Sequence, residues 1–231
     1  MSDIIPWARE YGDDEKQLRF AGRFVGYDPQ LVAPNQKIPV DKPIVLLLAD
    51  SIFGGSVWQG IRDLIAPKAF ISYIQHPHHA GNISPWLDLW DMDQCDHYRV
   101  LFNFEGMHGF PPRQTLETHL QDTTKLVRRY KKVFHSIIWG NMVPIPAGFK
   151  MGVPSSAKGP NSIEQDIRDN VVVDFNASLD RIMKAENIPL VDIYSLIKSH
   201  PGYQRYDDLH LTQEGNKILS ELTSNAILRE L

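Results

Sequence analysis

Residues 44–55 of the chain read IVLLLADSIFGG, and this stretch decides the fold. Residues 44–48 form an unbroken apolar run of strand length, which is typical of a strand buried on both faces of a parallel sheet. The polar, glycine-rich residues 49–55 predict a turn. Apolar side chains recur at helical spacing after the turn, at Val57, Ile61, Leu64 and Ile65. A buried strand, a short turn and an amphipathic helix together predict the start of a βαβ unit.

The rest of the chain repeats this alternation of strand and helix. Further strands are predicted at residues 70–74, 100–104, 133–139 and 189–193, and further helices at 115–132, 166–184 and 214–231. Strands that alternate with helices imply right-handed crossovers, so we predict a three-layer α/β/α sandwich with a mainly parallel five-stranded sheet. In such sheets ligands bind beyond the carboxyl ends of the strands. The Pro- and Gly-rich stretch 143–162 is predicted to be a surface loop over that edge.

The chain divides into two predicted regions. Residues 1–42 are acidic and polar, and they end in a proline-bounded connector. We predict that they form an N-terminal extension packed on the outside of the core. Residues 43–231 carry all the predicted strands and helices of the sandwich, so we predict that they form the functional domain.

The composition argues against several classes of protein. The 231 residues are 42% hydrophobic and 23% charged, as in ordinary globular chains. A net charge of −4 argues against broad electrostatic binding of nucleic acid or anionic membrane. The single cysteine, Cys95, excludes an internal disulfide framework. Since neither a membrane span nor the apolar core of a signal peptide is found, we expect a cytoplasmic protein.

Two short motifs could carry chemistry. Ser51 follows the first strand, where a helix N-terminus could activate it as a nucleophile, although a serine in this position, taken alone, more often serves only as a helix cap. Asp207 and His210 form a D-x-x-H pattern, in which the carboxylate could orient the imidazole as a general base. The alternative for this second motif is a capping aspartate beside a surface histidine.

The chain has nine histidines, which raises the question of a metal site. His76, His78 and His79 lie close together, but no His-Glu-x-x-His motif accompanies them. We therefore favour a polar loop over a metal site, and we expect neither a metal nor a cofactor. The remaining candidates are predicted to be surface histidines or histidines with satisfied hydrogen bonds: His97, His119, His135 and His200.

The first and last motifs together resemble those of the SGNH, or GDSL, hydrolases. The A-D-S of residues 49–51 is similar to the family's G-D-S block, with Ala49 in place of the first glycine. The D-D-L-H-L-T of residues 207–212 is similar to its D-x-x-H block, which precedes a final helix. The resemblance implies the flavodoxin-like α/β/α fold for residues 43–231, with Ser51 as nucleophile, His210 as base and Asp207 as its orienting acid.

Middle segments resemble one branch of the same family. Residues 102–109 read FNFEGMHG, which is similar to that branch's F-N-x-G-L-H-D block, with Glu105 as an apparent insertion. Residues 139–146 read WGNMVPIP, which matches the branch's W-x-x-x-x-P-V-P pattern. The resemblance implies an oxyanion hole made of the Ser51 N–H, Gly81 and a third donor, for which Asn103 and His108 both remain open.

The resemblance implies a serine ester hydrolase that acts through an acyl-enzyme. Relatives in this branch include carbohydrate deacetylases, so we expect a small-molecule or carbohydrate ester as substrate, with a short acyl group. Two alternatives stay open: an acyltransferase with the same triad, and a catalytically silent binding domain on the same fold. No nucleic acid partner is expected, and the oligomeric state is not predicted.

Overall fold

The strands of the structure, a computed structural model, lie close to the predicted positions. The structure describes residues 42–75, 98–105, 116–132, 134–146, 150–151, 165–166, 169–206 and 209–231. In these ranges the strands are β1 (Ile44–Ala49), β2 (Phe70–Gln75), β3 (Tyr98–Asn103), β4 (Ser136–Gly140), β5 (Lys150–Met151), β6 (Gln165–Asp166) and β7 (Leu190–Val191). The predicted extension lies outside the described residues except for Lys42, so its packing stays a prediction.

Five helices and two short 3₁₀ turns are seen in the same ranges. The helices are α1 (Ser56–Ile65), α2 (Leu116–Tyr130), α3 (Asp169–Ala185), α4 (Ile193–Ser199) and α5 (Gln213–Glu230). The 3₁₀ turns are Ser51–Phe53, directly after β1, and Pro201–Tyr203, between α4 and α5. Among these helices none is long and apolar enough to cross a bilayer.

A five-stranded parallel sheet forms the centre of the fold, in the order β2-β1-β3-β4-β7. One face packs on α2 and α3, with Leu46, Leu48 and Trp139 among the buried side chains. The other face packs on α1 and α5, with Val45, Leu47 and Phe102 among the buried side chains. The predicted α/β/α sandwich with its five-stranded parallel sheet is therefore confirmed.

Strand β1 lies between β2 and β3, and all six of its residues are buried. Burial of each such aliphatic side chain contributes about 1.5–3 kcal/mol to the free energy of folding, so this run is a large part of what stabilises the core. β2 lies on one side of β1, and β3, the next strand in the chain, lies on the other side. Such a reversal of strand order opens a crevice at the carboxyl ends of the strands. Ser51, just after β1, and Asn103, the last residue of β3, lie at this crevice.

Several predicted boundaries differ from the structure by up to three residues, and two of the differences change the kind of element. Ile193, predicted as the end of a strand, is instead the first residue of α4, because the Asp192 carboxylate accepts a hydrogen bond from Ser195 N at 3.0 Å and caps a helix there. The predicted loop 143–162 contains β5, which pairs antiparallel with β6. Two-residue strands are too short to leave an alternating pattern in the sequence.

Candidate active site

Ser51 is presented by a 3₁₀ turn at the carboxyl end of β1. Asp50, 2% exposed, adopts an extended backbone, and its carboxylate accepts a hydrogen bond from Ile52 N at 2.8 Å. Asp50 is therefore the cap of this turn, and Ser51 is its first residue rather than its cap. Gly55 follows with a φ of 56°, a conformation that favours glycine, and it turns the chain into α1.

The side chains of Ser51 and His210 meet at this edge of the sheet. Nε2 of His210 lies 3.1 Å from Oγ of Ser51, although the two residues are 159 positions apart in the chain. Both are partly buried. The tautomer of His210 that carries its proton on Nδ1 would accept the Ser51 proton at Nε2. This is the geometry that a nucleophile and its general base require.

His210 is held by a pair of antiparallel segments, residues 203–206 and 209–212, which we call the His210 hairpin. Arg205 N donates to the His210 carbonyl at 3.1 Å, and Thr212 N donates to the Tyr203 carbonyl at 2.9 Å. Thr212 caps α5, because its hydroxyl accepts from Gly215 N at 3.3 Å. The hairpin is thus bonded both across itself and to the following helix, which fixes the backbone on either side of His210.

A second loop braces this hairpin. The Gln204 amide donates to the Pro144 carbonyl at 2.8 Å and to the Leu209 carbonyl at 3.3 Å. Pro144 belongs to residues 141–146, which follow β4. That loop is fixed in turn by Asn176, whose side chain pairs with both backbone groups of Met142. The segments that carry the sheet edge and His210 are therefore connected by side-chain hydrogen bonds.

Asn103 is placed at the end of β3, opposite Leu48 of β1. It is fully buried, and its Oδ1 accepts a hydrogen bond from the Tyr130 hydroxyl at 3.4 Å. No partner for its Nδ2 is found within the described part of the chain. Burial raises the pKa of Tyr130 well above its ordinary value, and the Glu105 carboxylate raises it further while Arg129 lowers it. The hydroxyl therefore stays protonated and donates to Asn103.

The other predicted site residues are not described. Asp207, Gly81 and His108 lie outside the described residues, as do His76, His78 and His79. Their predicted roles stay predictions. Within the described ranges, no group of three histidine, cysteine or carboxylate side chains could hold a metal ion.

A buried polar cluster that the sequence pattern does not predict lies directly after β3. Glu105 and His119 are each 2% exposed, with His119 Nε2 2.8 Å from Glu105 Oε2. The Thr123 hydroxyl lies 3.1 Å from both carboxylate oxygens. His119, predicted to be a surface or satisfied histidine, is buried and does not lie at the surface. The i, i+4 spacing of His119 and Thr123 on α2 was the only available signal, and it does not name a partner on β3.

We compared the sequence and the structure with those of known proteins. No model of a known family matches the sequence, and no curated protein matches it either. Solved structures do match. A lipase/acylhydrolase from Enterococcus faecalis superposes with a TM-score of 0.60 at 15% identity, over 80% of this chain and 95% of that chain. A GDSL-like lipase from Bacteroides thetaiotaomicron gives 0.60 at 16%, over 81% and 89%.

The chain has the GDSL hydrolase fold. The fold is also shared by an acetylxylan esterase from Geobacillus stearothermophilus, with a TM-score of 0.57 at 15% identity, over 81% of this chain and 93% of the esterase. The same esterase has been solved as a catalytic mutant with serine replaced by alanine. The resemblance predicted from the sequence is therefore confirmed at the level of the fold.

Proposed function

We propose that the chain is a serine ester hydrolase that removes short acyl groups from a carbohydrate or another small-molecule ester. The observation that carries the proposal is the 3.1 Å separation of Ser51 Oγ and His210 Nε2 at the crevice of the sheet. Fold neighbours that are lipases, acylhydrolases and an acetylxylan esterase support the reaction class. The acetylxylan esterase also motivates the short acyl group on a sugar.

The proposed reaction has two halves. Ser51 Oγ attacks the ester carbonyl carbon while His210 Nε2 takes its proton, and a tetrahedral oxyanion forms. The C–O bond to the alcohol then breaks, the proton passes from His210 to the leaving alkoxide, and the acyl group stays on Ser51. Water repeats the sequence on the acyl-enzyme and releases the acid. We assign Asp207 to hold the Nδ1 proton of His210, and thereby its tautomer.

The proposal is tested by covalent labelling of the whole chain. A fluorophosphonate ester should react with the protein and, after digestion, its mass should be found on the peptide that contains Ser51. Hydrolysis of p-nitrophenyl acetate should fall in proportion to the labelled fraction. Turnover that persists after full labelling, or a label carried by another residue, would overturn the assignment of Ser51 as nucleophile.

For the third oxyanion donor we propose Asn103. Its Nδ2 is buried and has no partner among the described residues, and an unpaired buried donor costs about 1–3 kcal/mol. The bond from Tyr130 holds its Oδ1, which leaves Nδ2 as the donor group of the amide. A substrate oxyanion would supply the missing acceptor. The Ser51 N–H and Gly81 are the other donors of the proposed hole.

Replacing Asn103 by alanine should therefore lower kcat by about 10²-fold with KM nearly unchanged, because only the transition state carries the full oxyanion charge. His108→Ala should stay within about threefold of the wild type, a change too small for a lost oxyanion donor. Steady-state kinetics with p-nitrophenyl acetate measure both variants, and thermal melting checks that each is folded. A large loss of kcat in His108→Ala with nearly full kcat in Asn103→Ala would place His108, and not Asn103, in the oxyanion hole.

A further inference from the structure

The peptide that joins Asp50 to Ser51 has an unusual environment on its carbonyl side. The Asp50 carbonyl accepts two hydrogen bonds, from Phe53 N at 3.2 Å and from the Tyr73 hydroxyl at 2.8 Å. The first bond belongs to the 3₁₀ turn itself. The second comes from β2, the strand next to β1, and it is the shorter of the two. Tyr73 thus contacts the main chain immediately before the proposed nucleophile.

The other end of the same peptide is the Ser51 N–H. A peptide unit is planar, so the direction of its carbonyl also sets the direction of its N–H. Within the described residues the Ser51 N–H donates no hydrogen bond, and the bond to the Asp50 carboxylate comes from Ile52 N. The first N–H groups of a helical turn point out of its N-terminal end, roughly along the axis, and have no partner within the turn. This N–H is therefore free to meet a substrate oxygen, in a direction that the Asp50 carbonyl bonds fix.

Tyr73 is itself fixed and always able to donate. It is 3% exposed, and its ring stacks on Trp58 of α1 at 5.3 Å between ring centres. Burial raises its pKa far above the ordinary value, and the Asp50 charge raises it further. The hydroxyl therefore keeps its proton across the whole range in which the chain is expected to work. A donor on a carbonyl also polarises the peptide, so its N–H becomes a stronger donor.

We propose that Tyr73 is a positioning residue of the oxyanion hole, whose hydroxyl orients and polarises the Asp50–Ser51 peptide. This inference rests on the proposed esterase function. Tyr73 does not touch the substrate and moves no proton; it acts only through the Ser51 N–H. Its contribution should therefore be largest where that N–H carries the most charge, in the tetrahedral intermediates of both acylation and deacylation.

The test is the Tyr73→Phe variant, which removes the hydroxyl and keeps the ring against Trp58. We expect kcat for p-nitrophenyl acetate to fall about tenfold while KM changes less than about twofold, the pattern of a contact made only in the transition state. The inhibition constant of phenylboronic acid should rise by the same factor. Its tetrahedral adduct with a serine places an oxygen where the oxyanion forms, so it reports on the hole without turnover.

The matched control is Tyr194→Phe. The Tyr194 hydroxyl donates to Asp169 at 2.7 Å, so this variant also loses one hydroxyl hydrogen bond, but not one to the Asp50–Ser51 peptide. We expect it to keep both kcat and the boronate affinity of the wild type. Equal losses in the two variants, or a change in KM without a change in kcat, would overturn the role of Tyr73 as a positioning residue.

A second variant keeps the inference testable if Tyr73→Phe does not fold. Site-specific Tyr73→3-fluorotyrosine preserves the shape of the side chain and makes its hydroxyl a stronger donor. We expect it to raise kcat and to tighten boronate binding, and unchanged or lower values would count against the inference. If the wild type turns over substrate and is labelled at Ser51, but neither variant has an effect, only the role of Tyr73 is disproved. A wild type without labelling or turnover defeats the esterase function and this inference together.

Discussion

Replacing Ser51 by alanine should lower kcat for p-nitrophenyl acetate on the order of 10⁴-fold or more. Oγ of Ser51 lies 3.1 Å from Nε2 of His210. Without Oγ no acyl-enzyme can form, and only the oxyanion donors and substrate binding remain to assist attack by water. KM should change little, because substrate binding does not depend on the nucleophile. Steady-state rates and fluorophosphonate labelling measure the loss.

The same experiment includes His210→Gln and the double variant. Nucleophile and base act as one unit, so each single change should cost almost as much as both together. The controls are Ser56→Ala and His200→Gln. Ser56 Oγ accepts a hydrogen bond from Asn216 at 2.7 Å at the start of α1, and His200 is exposed and stacked on Tyr203. Both controls should keep wild-type rates. Losses of Ser51→Ala and His210→Gln that multiply in the double variant would show that the two residues act independently.

The strands of the sheet could be predicted from the sequence because burial on both faces leaves a continuous apolar run. Residues 44–48 were predicted as a strand, and β1 spans Ile44–Ala49. The prediction for 100–104 differs from β3, Tyr98–Asn103, by at most two residues at each end. The rule that ligands bind at the carboxyl ends of parallel strands predicts that chemistry lies just after each strand, and Ser51 does follow β1 in the structure.

The contact between Ser51 and His210 could not be predicted from local sequence patterns alone. The residues alone favour a cap role for Ser51, and only the resemblance to the GDSL hydrolases pairs it with a histidine far along the chain. The structure shows why the cap alternative is wrong, because the Asp50 carboxylate already caps the turn. It also shows that Thr212 caps α5.

The contacts made by Tyr73 and Glu105 could not be predicted. Tyr73 meets Asp50 because β2 is parallel to β1 in one particular register, with Leu47 opposite Tyr73. Glu105 meets Thr123 because α2 packs on that face of the sheet. Sequence periodicity shows which face of an element is buried, but it does not show which polar groups meet across two packed elements.

Gly215→Ala should strongly destabilise the protein, although alanine is favoured over glycine within a helix by about 1 kcal/mol. A Cβ on Gly215 would lie 2.1 Å from the Tyr203 carbonyl oxygen, which belongs to the His210 hairpin. That oxygen is fixed by Thr212, through its N–H at 2.9 Å and its hydroxyl at 3.2 Å. Because the clashing atom belongs to the backbone, the clash can be removed only if the His210 hairpin moves away from α5. We expect the free energy of unfolding to fall by about 3 kcal/mol or more.

For a chain of this size a loss of that magnitude lowers Tm by roughly 6–12 °C. Gly202→Ala is the matched control, because a Cβ at Gly202 meets no atom within 4 Å, and we expect its Tm to stay within about 2 °C of the wild type. The hairpin that yields in Gly215→Ala is the one that carries His210. The folded fraction of this variant, assayed well below its Tm, should therefore also show a lower kcat, whereas Gly202→Ala should not. A destabilised Gly215→Ala with full kcat would mean that His210 keeps its place after the hairpin has moved away from α5.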